Sequence, residues 1–543
     1  MNRNGADLQQ AVAALTGPGG EFEIAEQDVL GARVPVFTRR EPNLGALLAA
    51  APAPGDREYL VTARRRLTYA EHAELSGAFA GVLAREYGVG RGDRVAVLAA
   101  NCPEWIVAFW ATARIGAVCA AFNAWWTTPE ISYALGHARP AVLVVDAERA
   151  AKLPPDLDIP VLRLETDLPS RGEAPPEAAV DEDDPAAIVY TSGTSGKPKG
   201  VTHSHRNMVA TAIYHRLMKA MSAAMDPRQA EPGRWLLSLP LFHIASLHNL
   251  AVPRLATGET VVLTEGAFDA RGMLELVSRE RVTNWTVVPT MASRLAAVDV
   301  GSYDLSALKA FGLASAPSSP GLQARLRELI PAARLSLVTS YGLTESCTGA
   351  TVTNPAALAA HPGTSGSPIP TVSVQVRDDA GAVVPDGVEG EIWLRSQYNM
   401  VGYWGDKAAT EAVFDADRWM RTGDIGCLRE GLLYLTTRRS DLILRGGENV
   451  YPLEVERCLD DHEAVVESAV VGLTHADLGQ EVGAIVVATS PISPDALRTY
   501  AAERLAYYKV PSRWHVMSTP LPRNATGKVS RAALAAYFEE VDA

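Results

Sequence analysis

The run Tyr190-Thr-Ser-Gly-Thr-Ser-Gly-Lys-Pro-Lys-Gly200 places four Ser/Thr hydroxyls, three glycines and two lysines directly after the apolar stretch 186–189. Glycine lets backbone N–H groups approach an anion, hydroxyls add donors, and lysine adds charge. Thr191, Ser192, Gly193, Thr194, Ser195, Gly196, Lys197 and Lys199 therefore have the chemistry of a polyphosphate cradle. Such a run standing alone also reads as a flexible Gly/Ser linker, but closely spaced glycines with two lysines after a strand tell against that. It is not a Walker loop, because only two residues separate Gly193 from Gly196 and Pro198 follows Lys197. No Gly-x-Gly-x-x-Gly opens a helix here, which disfavours a dinucleotide fold.

The elements around this run predict an α/β architecture. Thr68-Tyr-Ala-Glu71 has capping-box spacing and opens an amphipathic helix to about Glu86. Arg94–Ala100 reads as a buried strand, Glu104–Ala120 as a helix and Ala141–Val145 as another strand. That cadence predicts a largely parallel sheet covered on both faces. Further strands are expected at 235–239, 260–263, 284–288, 308–311 and 336–339, with helices over 272–280 and 321–329 between them. From about 364 to 436 the texture changes to short β runs at 372–376, 390–394 and 431–435, predicting a small β subdomain. Residues 438–441 interrupt with charge before a final α/β portion of about 100 residues. The expected division is a large domain over 1–437, a hinge at 438–442 and a small domain over 443–543.

A chain of 543 residues needs more than one core. Its net charge of −13 argues against a nucleic-acid partner and offers no basic face to anionic lipid. Positive charge for a phosphate ligand must therefore be concentrated in the site. Five cysteines with no C-x-x-C pair suit a reducing cytoplasm, and the cytoplasm is the expected compartment. The N-terminus has no signal-peptide apolar core, and no apolar run reaches membrane-spanning length, so no integral membrane contact is expected. Cys347 reads as either a reactive thiol or an inert buried one. Among 50 basic residues only eight are lysines, and four of these (197, 199, 509, 528) fall in motif-like segments, which points to sites needing a compact ammonium.

Four more segments follow the cradle in order: Tyr341-Gly-Leu-Thr-Glu345, Arg421-Thr-Gly-Asp424, Gly446-Gly-Glu-Asn-Val-Tyr-Pro452 and Pro522-Arg-Asn-Ala-Thr-Gly-Lys528. Together the five resemble the adenylate-forming enzymes: acyl-CoA synthetases, peptide-synthetase adenylation domains and luciferases. The likeness runs over roughly residues 40–535 and is closest to bacterial fatty-acid- or aryl-CoA ligases. It implies two α/β subdomains plus a small β subdomain, then a mobile α+β C-terminal domain. The implied reaction makes an acyl-adenylate and pyrophosphate from a carboxylic acid and MgATP, then transfers the acyl group to a thiol, usually coenzyme A.

Taken alone, Glu345 is a loop acid, Asp424 an Asx-turn residue and Lys528 a surface lysine. The resemblance assigns them roles. The cradle would hold the β- and γ-phosphates, and Glu345, beside Thr344, would hold Mg²⁺, which prefers oxygen ligands. Asp424 would accept both ribose hydroxyls, with Tyr341, Gly342 and the Gly366-Ser-Pro segment near the base and Arg438 near ribose and phosphate. Lys528 would offset the repulsion between the attacking carboxylate and the α-phosphate, which is electrostatic catalysis. Gly446 and Gly447 would line the pantetheine path after the small domain rotates. Ser440 stands where the family's hinge usually has Asp or Lys, and Thr437 where Gly is common, so the pivot itself is left open.

His243 follows Phe242 where amino-acid-activating relatives carry Asp, which disfavours an amino-acid substrate. It reads equally as a gate at the carboxylate end or as a packed structural histidine. Ala245, Ala314, Ser315, Ala316 and Gly342 are small and suggest a roomy apolar pocket, suiting a medium- or long-chain fatty acid and equally a ring-bearing one. An amine or a carrier protein could replace coenzyme A as acceptor. No insertion separates Tyr403 from Arg438, which favours coenzyme A over a carrier protein. Both a monomer and a homodimer fit the sequence.

Overall fold

The computed structural model describes residues 12–539 apart from 53, 177, 192–197, 315–319, 439–440, 446–447, 476–477, 524–528 and 530. A seven-stranded sheet carries the phosphate run. Its spatial order is Gly402–Tyr403, Lys199–Ser204, Pro185–Thr191, Val118–Ala121, Arg94–Leu98, Val142–Val145 and Val161–Arg163. The last five strands pair in parallel. Lys199–Ser204 runs antiparallel to Pro185–Thr191, so the two strands flank the cradle residues with Lys199 opposite Thr191.

Strand alternation explains why this sheet is covered on both faces. Val95 and Val97 enter one apolar cluster with Phe79, Trp105 and Phe109, while Ala96 and Leu98 enter another with Ile131 and Leu135. The covering helices are Tyr69–Arg85, Pro103–Arg114 and Thr128–Ala138. The first begins at the expected capping box, with Glu71 accepting from the Thr68 backbone N–H at 2.7 Å.

A second sheet of six strands has the order Ala310–Leu313, Asn284–Val287, Arg234–Leu237, Thr260–Leu263, Glu58–Val61 and Arg66–Thr68. Only its last pairing is antiparallel. The β subdomain is a four-stranded antiparallel sheet of Val372–Arg377, Gly390–Ser396, Met420–Arg429 and Leu432–Arg438. The C-terminal portion packs the helices Pro452–Asp460 and Pro494–Ala502 on one face of its sheet and Arg531–Glu539 on the other.

The architecture agrees with the expected α/β class, and several local expectations need correction. The helix expected over 104–120 ends at Arg114, and Val118–Ala121 is a central strand. Gly116, at φ +68°, turns the chain where a side chain would be strained. Residues 333–336 form a helical turn rather than the start of a strand, and Ser336 accepts from the Phe311 N–H at 2.9 Å. The strand expected from 308 starts at Ala310. The ten-residue strand Met420–Arg429 and the hairpin Ile24–Val29/Ala32–Phe37 were not expected.

Candidate nucleotide and acyl site

Thr191 ends one strand and Lys199 begins the next, so both bracket the hydroxyl- and glycine-rich turn. Residues 192–197, which include Ser192, Gly193, Thr194, Ser195, Gly196 and Lys197, lie outside the described residues. A cleft of about 240 Å³ lies beside this end of the sheet, lined in part by Lys199, Glu345, Tyr403, Arg421, Thr422 and Gly423. Glu345 sits in the short 3-10 turn Thr344–Ser346, and its carbonyl accepts from the Met400 N–H at 2.8 Å. Its carboxylate accepts from the Tyr403 hydroxyl at 2.9 Å. Burial and that neighbouring carboxylate together hold the Tyr403 phenol protonated, well above its ordinary range. The Lys199 ammonium stands 4.7 Å over the Tyr403 ring. Tyr403 thus orders both an acid and a cation, a part that its sequence setting did not signal.

A second polar pair joins Tyr341, four residues before Glu345, to Asp424 of the β subdomain. Asp424 is buried on the strand Met420–Arg429 and accepts from the Tyr341 hydroxyl at 2.8 Å. Gly423 takes φ +73°, and the Asp424 N–H donates to the Thr422 hydroxyl, which fixes the carboxylate's exit from the strand. Arg438 pairs in backbone register with Asp424, and its side chain is outside the described set. Gly342 and Gly366 let neighbouring backbone pack directly against them. A Cβ on Gly342 would lie 2.7 Å from the Thr348 carbonyl oxygen, and one on Gly366 2.0 Å from that of Val352.

His243 opens the segment expected to border the acyl group, which continues through Ala245 into the π-helical turn Leu247–Ala251. Asn249 ties this segment to the Glu345 turn. Its amide donates to the carbonyls of Ile244 at 3.0 Å and Cys347 at 3.1 Å, and its oxygen accepts from the Thr348 hydroxyl. The His243 ring lies 4.5 Å from Phe242, whose other neighbour is the half-exposed Trp125 at 5.0 Å. Trp126 instead packs inside against Tyr190. Ala314 ends the strand Ala310–Leu313, with its N–H on the Val287 carbonyl, while Ser315 and Ala316 lie outside the described residues. Burial pushes the Cys347 thiol up to about 12, so it is inert as a nucleophile at neutral pH. Lys528, Ser440, Gly446 and Gly447 are likewise outside the described residues.

The family model described as AMP-binding enzyme matches residues 48–404, and that of the AMP-binding enzyme C-terminal domain matches residues 454–528. The chain belongs to the AMP-binding enzyme family. It is an adenylate-forming ligase of the acid–thiol class. Among its relatives, a 2-succinylbenzoate–CoA ligase of Bacillus licheniformis is 34% identical over 88% of this chain and 96% of its own length. A long-chain-fatty-acid–CoA ligase, FadD13, of Mycobacterium tuberculosis is also 34% identical, over 86% of this chain and 92% of its own. The structure of O-succinylbenzoate coenzyme A synthetase from Bacillus subtilis with ATP and magnesium superposes with a TM-score of 0.77 at 30% identity. That match covers 91% of this chain and all of the other. No helix among the described residues is long and apolar enough to cross a membrane.

Proposed function

We propose that this AMP-binding enzyme joins a hydrophobic carboxylic acid to coenzyme A through an acyl-adenylate, releasing pyrophosphate and AMP. The observation that carries the proposal is the pairing of two groups: Lys199, Glu345 and Tyr403 lining one cleft, with Thr191 opposite Lys199 in register, and the Tyr341–Asp424 pair, close in sequence to the lining residues Leu343 and Gly423. The first group supplies hydroxyl, ammonium and carboxylate oxygen for a Mg²⁺-bearing polyphosphate. The other supplies an aromatic ring and a buried carboxylate for a nucleoside. The Glu345 carboxylate fits a hard cation, because oxygen donors suit Mg²⁺ and Tyr403 holds the group in place. Bound there, Mg²⁺ would offset phosphate charge.

In this reading Asp424 accepts from the ribose hydroxyls, Tyr341 flanks the base, and Thr344 and the cradle bind phosphate oxygens. Lys528 stabilises the meeting of carboxylate and α-phosphate. Gly446 and Gly447 give passage to the pantetheine thiol once the small domain has turned near Ser440. Two pairings support a boundary there. Leu432–Arg438 is bonded to the β subdomain, whereas Asp441 is paired with Arg531 of the last helix at 3.2 Å.

The small residues Ala245 and Ala314 favour a medium- or long-chain acid, whereas the space beside Gly342 is filled by the Thr348 and Gly349 backbone. A ring-bearing acid is a second reading, favoured by the edge-to-face pair of Trp125 and Phe242 beside His243. Incubating the protein with MgATP, a panel of fatty and ring-bearing acids, and either coenzyme A or amines distinguishes these outcomes by product mass. Thioester formation with a fatty acid supports the first reading and with an aryl acid the second. Amide products in the absence of thioester overturn the assignment of the acceptor.

A further inference from the structure

Behind the nucleotide site the molecule buries a set of donors with different chemistry. His203 lies on the strand Lys199–Ser204, His248 in the π-helical turn Leu247–Ala251, and Cys347 directly after the turn Thr344–Ser346. Each is wholly buried. One ligand atom from each, an imidazole nitrogen of the two histidines and the Cys347 Sγ, falls within 4.8 Å of the others. The two rings stand 4.9 Å apart at 66°. None of the four ring nitrogens has a hydrogen-bond partner among the described residues. Thr344 and Asn207 face His203 without reaching hydrogen-bond geometry. The Cys347 sulfur lies in an apolar cluster, and its hydrogen-bond contact there is with the Thr211 hydroxyl at 3.5 Å. Buried polar atoms are almost always satisfied, so two adjacent unpartnered imidazoles converging on a thiol call for an occupant.

We propose that His203, His248 and Cys347 form a binding site for one zinc ion. Two imidazole nitrogens and a sulfur match the ligand preference of Zn²⁺, and three protein ligands leave a fourth position open. Zn–N bonds of about 2.0–2.1 Å and a Zn–S bond of about 2.3 Å need ligand separations of roughly 3.4–3.6 Å. The observed spread closes to that by side-chain rotation of about 1 Å. Binding expels the Cys347 thiol proton to solvent as the Zn–S bond forms, leaving one net positive charge on the site. Mg²⁺, which takes oxygen ligands, is not a competitor, so two metals of unlike chemistry would sit on either side of Ser346. The ion would pin together the strand leaving the phosphate run, the acyl-side turn and the turn carrying Glu345. This assignment does not depend on the acid or the acceptor.

The test is metal analysis of the full chain, produced in zinc-supplemented medium and dialysed against a chelator. About one zinc per chain is expected for the wild type, falling below about a tenth for Cys347→Ser and for His248→Asn. Cobalt loading of the metal-stripped wild type should give tetrahedral d–d bands and a thiolate-to-cobalt charge-transfer band. Zinc content that is unchanged in both variants overturns the site, as does a wild type holding less than about a tenth of an equivalent. Should the variants misfold, the cobalt spectrum decides alone, and absence of the thiolate band rejects the proposal.

Discussion

Replacing Tyr403 by Phe tests the arrangement of the cleft with the least disturbance. The change removes one hydroxyl, and with it the 2.9 Å bond to the Glu345 carboxylate, while keeping the ring under the Lys199 ammonium. A hydrogen bond to a charged group contributes about 1.5–3 kcal/mol. If that energy holds Glu345 in the geometry that binds metal and phosphate, its loss lowers kcat/KM for adenylation by about 10- to 100-fold. The half-maximal Mg²⁺ concentration should rise with it. Pyrophosphate release with an acceptable acid, measured across a Mg²⁺ titration, provides the assay, with the thermal transition as a control for folding. Tyr403→Leu also removes the cation–π contact and should cost about 0.5–1 kcal/mol more. Rates for Tyr403→Phe within twofold of the wild type at every Mg²⁺ concentration would refute the reasoning.

Lys528→Gln should slow adenylation by about 10²- to 10³-fold, the usual cost of removing one group that stabilises transition-state charge. Transfer of a supplied acyl-adenylate to coenzyme A should stay within a few fold, and an equal loss in both half-reactions would contradict the role. Gly366→Ala sets a Cβ 2.0 Å from the Val352 carbonyl oxygen at a backbone φ of +90°. A destabilisation of about 3 kcal/mol or more is expected, seen as a lowered thermal midpoint. Asp460 ends the helix Pro452–Asp460 and is partly buried, and this desolvation, reinforced by Glu456 and Glu467, raises its carboxyl to about 7, although it accepts from Ser468 at 2.7 Å. Its folded value lies above its unfolded one, so the native state holds the extra proton between about pH 4 and 7. Its contribution is therefore complete below pH 4 and lost as pH rises towards 7. Asp460→Asn should abolish this loss, gaining on the order of 4 kcal/mol over the wild type at pH 8 relative to pH 4. Denaturant unfolding at the two pH values checks it, and parallel pH profiles would contradict it.

The parts of the fold that were legible in sequence are those where local and global preferences agree. Thr68 and Glu71 cap a helix by contacts three residues apart, and the Val-Ala-Val-Leu run at 95–98 is apolar on both faces because both faces are covered. The junction at Gly116 is hidden in the sequence because most of residues 105–120 are apolar, and periodicity cannot separate a buried helix from the buried strand that follows it. The strand Met420–Arg429 does not show in the sequence because its first half carries Arg421, Thr422, Gly423 and Asp424, a polar stretch that reads as a turn. In the site, the carboxylates and hydroxyls announced themselves through their motifs. Tyr403 comes from a strand more than 50 residues from Glu345 and Asn249 from a turn nearly 100 residues before Cys347, so only the fold brings them together. The His203–His248–Cys347 set was invisible for the same reason.

The claim that the acid passes through an adenylate is tested most directly by following its oxygen. An acid labelled with ¹⁸O in both carboxyl positions, turned over with MgATP and coenzyme A, should leave one labelled oxygen on the phosphate of AMP and one in the thioester carbonyl. Label appearing in inorganic phosphate or pyrophosphate, or AMP released without any label, would contradict the account.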